Sequence, residues 1–175
     1  AMEIPIGRFL GSFREFPAPQ LGEHAIRAVC RDLPPGVAPD LVIMGCARQA
    51  GSGPNPARQA MHRAGLPHTT VAWTLNMACA SGMEAVASGA RALLGGEAAW
   101  VVAGGMESMS RVPYFLDRAR TGYRMGDAPL IDGMYKDGFL CPVSNQVMGE
   151  TAETLARMYK IPREEQDAFA LRSQQ

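Results

Sequence analysis

The chain is 175 residues long and 47% hydrophobic, which is enough to bury a core and excludes a disordered segment. Its 17 basic and 17 acidic side chains give a formal net charge of zero, which argues against a broad surface for nucleic acid or anionic lipid. No apolar run is long enough to cross a bilayer, and the opening AMEIPIGRFL lacks the pattern of a signal peptide, so we expect a soluble cytoplasmic protein.

Four cysteines are scattered along the chain, at Cys30, Cys46, Cys79 and Cys141. No two of them form a C-x-x-C pair, and no histidine lies near them at the spacing of zinc ligands. The pattern therefore predicts neither a metal centre nor a disulfide framework, and no cofactor is expected.

Strand-like and helix-like stretches alternate over the first two thirds of the chain. The predicted elements are a helix over 20–33, a strand over 41–45, a helix over 57–64, a strand over 70–75, a helix over 80–94 and a strand over 98–105. Short apolar strands separated by helices are typical of a parallel sheet, so the sequence predicts an α/β fold.

The helix predicted over 80–94, ASGMEAVASGARALL, is rich in alanine and glycine. Small side chains around its circumference favour close packing between other elements, so we expect this helix to be buried on several sides. Residues 106–146 are predicted to form a long, mostly irregular loop region with a function. Helices return over 149–159 and after Pro162, and no Gly or Pro follows the second, which predicts that the chain is part of something larger.

One cysteine has a setting that suits chemistry. In NMACASGMEA, Cys79 follows a predicted strand and precedes a predicted helix. The unpaired N–H groups and the positive dipole end at a helix start stabilise a thiolate, and they can also receive an oxyanion. The small neighbours Ala78, Ala80, Ser81 and Gly82 let a thioester approach the backbone, which suits acyl transfer. On this local pattern alone, a small buried core cysteine explains Cys79 equally well.

Five segments, in order along the chain, carry a resemblance to a known family. They are IPIGRFLGS at 4–12, VIMGCARQAGSGPNPARQA at 42–60, NMACASGMEAV at 76–86, VVAGGMESMSRVPY at 101–114 and MGETAETLARMYKIPREEQDAFALRSQQ at 148–175. Through them the chain resembles the thiolase family from end to end. Chance agreement at five ordered places is far less probable than at one, so a nucleophilic Cys79 is favoured over a core cysteine.

The resemblance implies a thiolase-like α/β fold: the N-terminal half of an α-β-α-β-α layered sandwich plus part of the loop domain. Residues 1–109 would form the N-terminal α/β domain, and residues 110–175 a partial loop domain that covers the substrate. The family's first strand would be shortened at Met2, and the chain would end before the C-terminal half.

In thiolases the cysteine at the position of Cys79 attacks an acyl-CoA thioester and forms an acyl-enzyme. The resemblance therefore implies an acyltransferase with coenzyme A thioesters as substrates, acting in acetoacetyl-CoA formation or in thiolysis of a 3-oxoacyl-CoA. The backbone N–H of Cys79 would donate to the thioester oxyanion.

Two further side chains are implied to bind the substrate. Met148 would pack beside the acyl group and Phe139 would line the pantetheine passage; ordinary core filling is the alternative for both. Val147 stands where many biosynthetic members have histidine, which leaves room for acyl chains longer than acetoacetyl.

Several other polar residues are assigned no catalytic role. Glu107 is either a member of a buried network or a solvated loop charge. Asn55 matches a helix start near the family's subunit interface, and an ordinary N-cap explains it as well. His24, His62 and His68 occur in no histidine motif of the family and are expected on the surface.

Thiolase chemistry also needs a base, a second cysteine and another oxyanion hole. The family supplies them from Asn-Glu-Ala-Phe, Gly-His-Pro and Cys-x-Gly-Gly-Gly segments, and none occurs in these 175 residues. We therefore expect the chain alone to be inactive and to need a complementary C-terminal half, in a dimer or tetramer of completed units that binds acyl-CoA and CoA. Two alternatives stay open: a ketoacyl synthase relative, and a non-catalytic binding or assembly subunit.

Overall fold

The computed structural model describes all 175 residues, which form two compact units. The first unit covers Ala1–Met134 and the second covers Tyr135–Gln175. The resemblance places a domain boundary earlier, after residue 109, and that division of the complete fold stays a prediction. The first compact unit extends past residue 109, and Pro113 within that extension lies close to Gly51, on which a β-carbon would lie 3.6 Å from it.

A parallel sheet of three strands organises the first unit. Its strands are β1 (Leu41–Gly45), β2 (Val71–Leu75) and β3 (Val101–Gly105), in the spatial order β2-β1-β3. Both pairs are parallel, and they bring the carboxyl ends of all three strands to one edge of the sheet. This confirms the predicted α/β class, in which ligands bind beyond the carboxyl ends of the strands.

Helices cover both faces of the sheet. On one side α2 (Pro56–Arg63) packs against β1 and β2, and α1 (Ala18–Cys30) packs against α2. On the other side α3 (Ser81–Leu94) packs against β1 and β3. The layers are therefore helix, sheet and helix within the first unit.

The central strand β1 supplies side chains to both layers of the core. Val42 and Met44 lie in the cluster shared with α1 and α2, whereas Leu41 and Ile43 lie in the cluster shared with α3. Successive side chains of a strand point to opposite faces, so an unbroken apolar run is the pattern of a strand covered on both sides.

Helix α3 buries only one face. Its buried residues are Ser81, Ala85, Gly89 and Ala92, and they lie against the sheet. On the outer face Met83 is 73% exposed, Val86 56% and Leu94 89%. The expectation that this helix is buried on several sides is wrong for this chain, because no residue of the chain covers the outer face.

Most of the stretch 106–146 is irregular, as expected. In the first unit it contains a 3₁₀ turn over Met109–Arg111 and a short antiparallel pair, β4 (Tyr114–Phe115) with β5 (Ile131–Asp132). A π-helical turn over Tyr135–Phe139 then opens the second unit.

The rest of the second unit is a hairpin and two helices. The hairpin pairs β6 (Leu140–Cys141) with β7 (Gln146–Val147), and the helices are α4 (Met148–Tyr159) and α5 (Arg163–Gln174). Both predicted helices of this region are confirmed. No helix of the protein is long and apolar enough to cross a membrane.

Asp40 determines where β3 begins. One oxygen of its carboxylate accepts hydrogen bonds from the N–H groups of Ala99, at 2.8 Å, and Trp100, at 3.0 Å. The strand therefore starts at Val101 and not at residue 98 as expected, because the preceding amides bond to a side chain and not to a neighbouring strand.

Acid should weaken the fold through Asp40. The N–H groups of Trp100 and then Ala99 hold the pKa of this carboxyl below its usual value. A lowered folded-state pKa stabilises the fold above the unfolded pKa of about 3.9, and this contribution is lost as the pH falls through the folded-state pKa. We expect Asp40→Asn to lower the urea midpoint at pH 7, and this difference from the wild type to shrink as the pH falls below about 3.9 towards the lowered folded-state pKa. Asp32→Asn, at an exposed carboxylate, should leave the midpoint unchanged at pH 7 and in acid. An equal loss for Asp40→Asn under both conditions would contradict this role for the Asp40 charge.

Candidate active site

Cys79 lies in a tight turn between the end of β2 and the start of α3. Its side chain is exposed and its thiol is free. The residue before it, Ala78, has a left-handed backbone with φ of 49°. That conformation costs a residue with a β-carbon roughly 1–2 kcal/mol, so contacts around the turn must hold it.

Two side chains hold the turn. The Oγ of buried Ser81 accepts a hydrogen bond from the N–H of Met77 at 2.9 Å and donates one to the carbonyl of Ala78 at 2.6 Å. The Oδ1 of Asn76 accepts a hydrogen bond from the N–H of Ala78 at 3.0 Å. Both polar groups of the left-handed residue are therefore bonded to side chains.

The turn leaves backbone donors unpaired at Cys79 and in the first residues of α3. The N–H groups of Ala80 and Ser81 are engaged by carbonyls within the turn, each at 3.1 Å. Those of Cys79, Gly82 and Met83 donate to no acceptor of the chain. Unpaired amides at the start of a helix carry the positive end of its dipole, so this arrangement can stabilise a thioester oxyanion.

Glycines let the start of α3 lie directly against the sheet. A β-carbon on Gly45, the last residue of β1, would lie 2.5 Å from the carbonyl carbon of Ser81 and 2.7 Å from the nitrogen of Gly82. A β-carbon on Gly105, the last residue of β3, would lie 3.4 Å from the α-carbon of Gly82. Close backbone contact therefore fixes the depth of the helix start and, with it, the position of Cys79.

Glu107 holds the loop that follows β1. Its two carboxylate oxygens accept hydrogen bonds from the N–H groups of Ala47, at 2.9 Å, and Arg48, at 3.0 Å. The carbonyl of Ala47 accepts a further bond from Nδ2 of Asn76 at 3.2 Å. Of the two alternatives for Glu107, the structure supports the network member over the solvated charge.

Cys46 differs sharply from Cys79. It is 1% exposed, and its Sγ lies 3.6 Å from Oε1 of Glu107. Burial first, and then the negative charge of Glu107, raise the pKa of the Cys46 thiol to about 12. In the second unit, hydrogen bonds from Ser144 and Val143 lower the pKa of Cys141.

These differences predict which cysteines react. At pH 8 a thiol with a pKa of about 12 is ionised to roughly one part in ten thousand, and only the thiolate is alkylated. We expect iodoacetamide to modify Cys79 and Cys141 in the native protein and to spare Cys46 until guanidinium unfolds the chain. Peptide mass spectrometry measures this, and modification of native Cys46 as fast as Cys141 would contradict the assignment.

The two predicted substrate-binding residues lie in the second unit. Phe139 ends the π-helical turn and packs edge-to-face on Tyr135, with the ring centroids 5.9 Å apart. Met148 is the first residue of α4 and is 46% exposed. Because Leu140 pairs with Val147, the hairpin brings the backbones of Phe139 and Met148 to its open end. Their contact with substrate stays a prediction.

Cys79 is not enclosed by this chain. A cavity of about 430 Å³ lies between residues 2–9 and 105–110, and a second lies among residues 117–131. Cys79 lines neither of them. No group of three or more His, Cys, Asp or Glu side chains is arranged to hold a metal ion.

The remaining singled-out residues are structural. All three histidines, His24, His62 and His68, are exposed, as expected. Asn55 is the N-cap of α2, where Oδ1 accepts from the N–H of Arg58 at 3.2 Å. The sequence did not predict that Ser81 and Asn76 hold the turn. Their positions two residues after and three before Cys79 were the available signal, since Asn and Ser side chains commonly bond to nearby backbone in turns.

Comparison with known proteins decides the family. The family model described as "Thiolase, N-terminal domain" matches residues 1–175. The chain belongs to the thiolase family. A curated relative from Chromobacterium violaceum, "Acetyl-CoA acetyltransferase", is 49% identical over all of this chain. One of the same name from Escherichia coli is 46% identical over 99% of the chain, and a "Probable acetyl-CoA acyltransferase" from Staphylococcus aureus is 44% identical over all of it.

The chain spans 45% of the length of each of these three relatives. The thiolase N-terminal match agrees with the helix, sheet and helix layers of the first unit. It confirms the predicted family and the thiolase-like α/β fold of the N-terminal half.

Proposed function

We propose that this chain is the nucleophile-bearing part of a thiolase, which transfers an acyl group between coenzyme A thioesters through an acyl-enzyme on Cys79. The observation that carries the proposal is the exposed Cys79 thiol in the turn that opens α3, where the N–H groups of Cys79 and of two residues in the first turn of the helix are unpaired. The names of the relatives, acetyl-CoA acetyltransferase and acyltransferase, support the same chemistry.

The first half-reaction follows from these groups. The Cys79 thiolate attacks the carbonyl carbon of the thioester, and the unpaired amides stabilise the oxyanion that forms. Collapse breaks the bond between carbon and the sulfur of coenzyme A. The electron pair stays on that sulfur, which takes up the proton that the cysteine gave to a base. The acyl group then passes to a second CoA or to the carbanion of a second acetyl-CoA.

The base and the second cysteine would come from a complementary C-terminal half. Large exposed apolar side chains support the need for such a partner: Met83 and Val86 on α3, and Val71, 57% exposed, on the edge strand β2. We propose that this chain and one complementary C-terminal half form each completed unit and that the units assemble as a dimer or tetramer.

Phe139 and Met148 are the proposed substrate-binding side chains, with coenzyme A thioesters as substrates and no cofactor. We also propose a cytoplasmic location, because all four cysteines are free thiols, as is usual in a reducing compartment.

Isotope exchange tests the proposed reaction. An acyl-enzyme mechanism exchanges labelled CoA into acetyl-CoA without any second acyl acceptor, because the first half-reaction is reversible. We expect this exchange with the chain and the complementary half together. Thiolysis without exchange would argue for direct transfer between the two substrates and against an acyl-Cys79 intermediate.

A further inference from the structure

We infer that Asn76 is a positioning residue for Cys79, because its side chain ties the left-handed turn before the nucleophile to the loop after β1. This inference rests on the proposed function, since it assigns a role toward the nucleophile of that reaction. Asn76 itself does not react.

The side-chain amide of Asn76 makes one hydrogen bond to the turn before Cys79 and one to the loop after β1. Oδ1 accepts from the N–H of Ala78 at 3.0 Å, and Nδ2 donates to the carbonyl of Ala47 at 3.2 Å. The bond to Oδ1 is one of the contacts that hold Ala78 at φ of 49°, and Ser81 provides another, so loss of Asn76 would loosen the backbone before Cys79 without undoing the turn.

The loop that receives Asn76 is itself held firmly. The carboxylate of Glu107 accepts hydrogen bonds from Ala47 and Arg48, and Nε2 of Gln49 donates to the carbonyl of Cys46 at 3.0 Å. Glu107 follows β3. Asn76 therefore links the turn that carries the nucleophile to the segments that follow β1 and β3.

Ser81 cannot take over this task. Its hydroxyl bonds to Met77 and Ala78, which belong to the same turn, so it shapes the turn without fixing where the turn lies. Asn76→Ala should therefore leave α3 and the turn formed, but with the thiol less well placed relative to the sheet.

The test compares three variants of the complete protein, the chain with its complementary half. We expect Asn76→Ala to slow acetylation of Cys79 by acetyl-CoA about ten- to a hundredfold, because small misplacements of reacting groups carry penalties of this size. Asn76→Asp keeps an acceptor for the N–H of Ala78 but cannot donate to Ala47, so we expect a rate between those of Asn76→Ala and the wild type. Alkylation of Cys79 by iodoacetamide at pH 7, followed on the same peptide, should fall in the same order.

Asn55→Ala is the matched control. Like Asn76, Asn55 accepts from an amide N–H through Oδ1 and donates to a carbonyl, that of Ala72, at 2.9 Å; here Asn55 itself is the left-handed residue. It lies at the start of α2, so its loss should lower the thermal midpoint about as much as the loss of Asn76 while leaving the acetylation rate unchanged.

The outcomes separate the two claims. If Asn76→Ala is acetylated within about twofold of the wild type, or if Asn55→Ala slows acetylation as much, the positioning role is wrong and the proposed function stands. If wild-type Cys79 is never acetylated, the proposed function fails, and the alkylation rate of Cys79 then tests the positioning role. A rate severalfold lower in Asn76→Ala than in the wild type supports that role, and an equal rate overturns it.

Discussion

Replacement of Cys79 by alanine is expected to abolish acyl transfer and leave the fold unchanged. The thiol is exposed and makes no hydrogen bond in the structure, so its loss removes no core contact. The reaction loses the atom that carries the acyl group, and in enzymes with a covalent intermediate such a loss costs on the order of a thousandfold or more in rate. Isotope exchange between acetyl-CoA and CoA measures this directly.

Cys141→Ala is the control for the Cys79 variant. The pKa of Cys141 is lowered chiefly by its hydrogen bond with Ser144, so it is a reactive thiol outside the proposed site. We expect Cys141→Ala to keep full exchange activity. If Cys79→Ala keeps the activity of the complete protein, the chain serves as a non-catalytic assembly subunit and the nucleophile lies elsewhere.

Replacement of Gly45 by alanine is expected to damage both stability and reactivity. The new methyl group would lie 2.5 Å from the carbonyl carbon of Ser81 and 2.6 Å from its oxygen, and backbone atoms cannot turn aside as a flexible side chain can. Helix α3 must therefore shift away from the sheet, at a cost of about 3 kcal/mol. Because Cys79 lies just before this helix, its acetylation should slow at least about tenfold.

Gly104→Ala makes the same chemical change on the neighbouring strand. There the nearest atoms to the new methyl group are the side-chain Sδ and Cε of Met44, at 3.7 Å, which is ordinary contact. We expect a change of less than about 1 kcal/mol in the free energy of unfolding, measured in urea, and unchanged acetylation of Cys79. Equal effects of the two variants would show that the contact between β1 and α3 does not fix the helix start.

Much of the first unit could be predicted because its patterns are local. The apolar run LVIMG predicts β1 over the residues that form it, since a strand covered on both faces needs an apolar side chain at nearly every position. Cys79 was predicted just before a helix for a similar reason: the small residues after it suit a helix start and disfavour a continued strand.

Features that depend on distant residues were predicted wrongly or not at all. The start of β3 is set by Asp40, which is separated from Ala99 by 59 positions. The bond between Asn76 and Ala47 spans 29 positions, and no local pattern at either residue indicates the other. The prediction that α3 is buried on several sides was wrong. Composition shows that a helix can pack closely on several sides, but it does not show which other elements are present to cover those sides.

The second unit was predictable in its helices and not in its short strands. The helices α4 and α5 have acidic residues in the first turn and span 12 residues each, so their sequence signals are strong. Strands β6 and β7 have two residues each, too few for a pattern of alternation. The pairing that brings Phe139 beside Met148 therefore became visible only in the structure.

Peptide mapping after incubation with acetyl-CoA tests the central claim most directly. The chain and its complementary half are mixed with acetyl-CoA, quenched in acid and digested, and each cysteine peptide is weighed. We predict one acetyl group on the peptide that contains Cys79 and its release when CoA is added before the quench. An acetyl group found only on Cys30, Cys46, Cys141 or a lysine, or one on Cys79 that CoA cannot remove, would contradict the account.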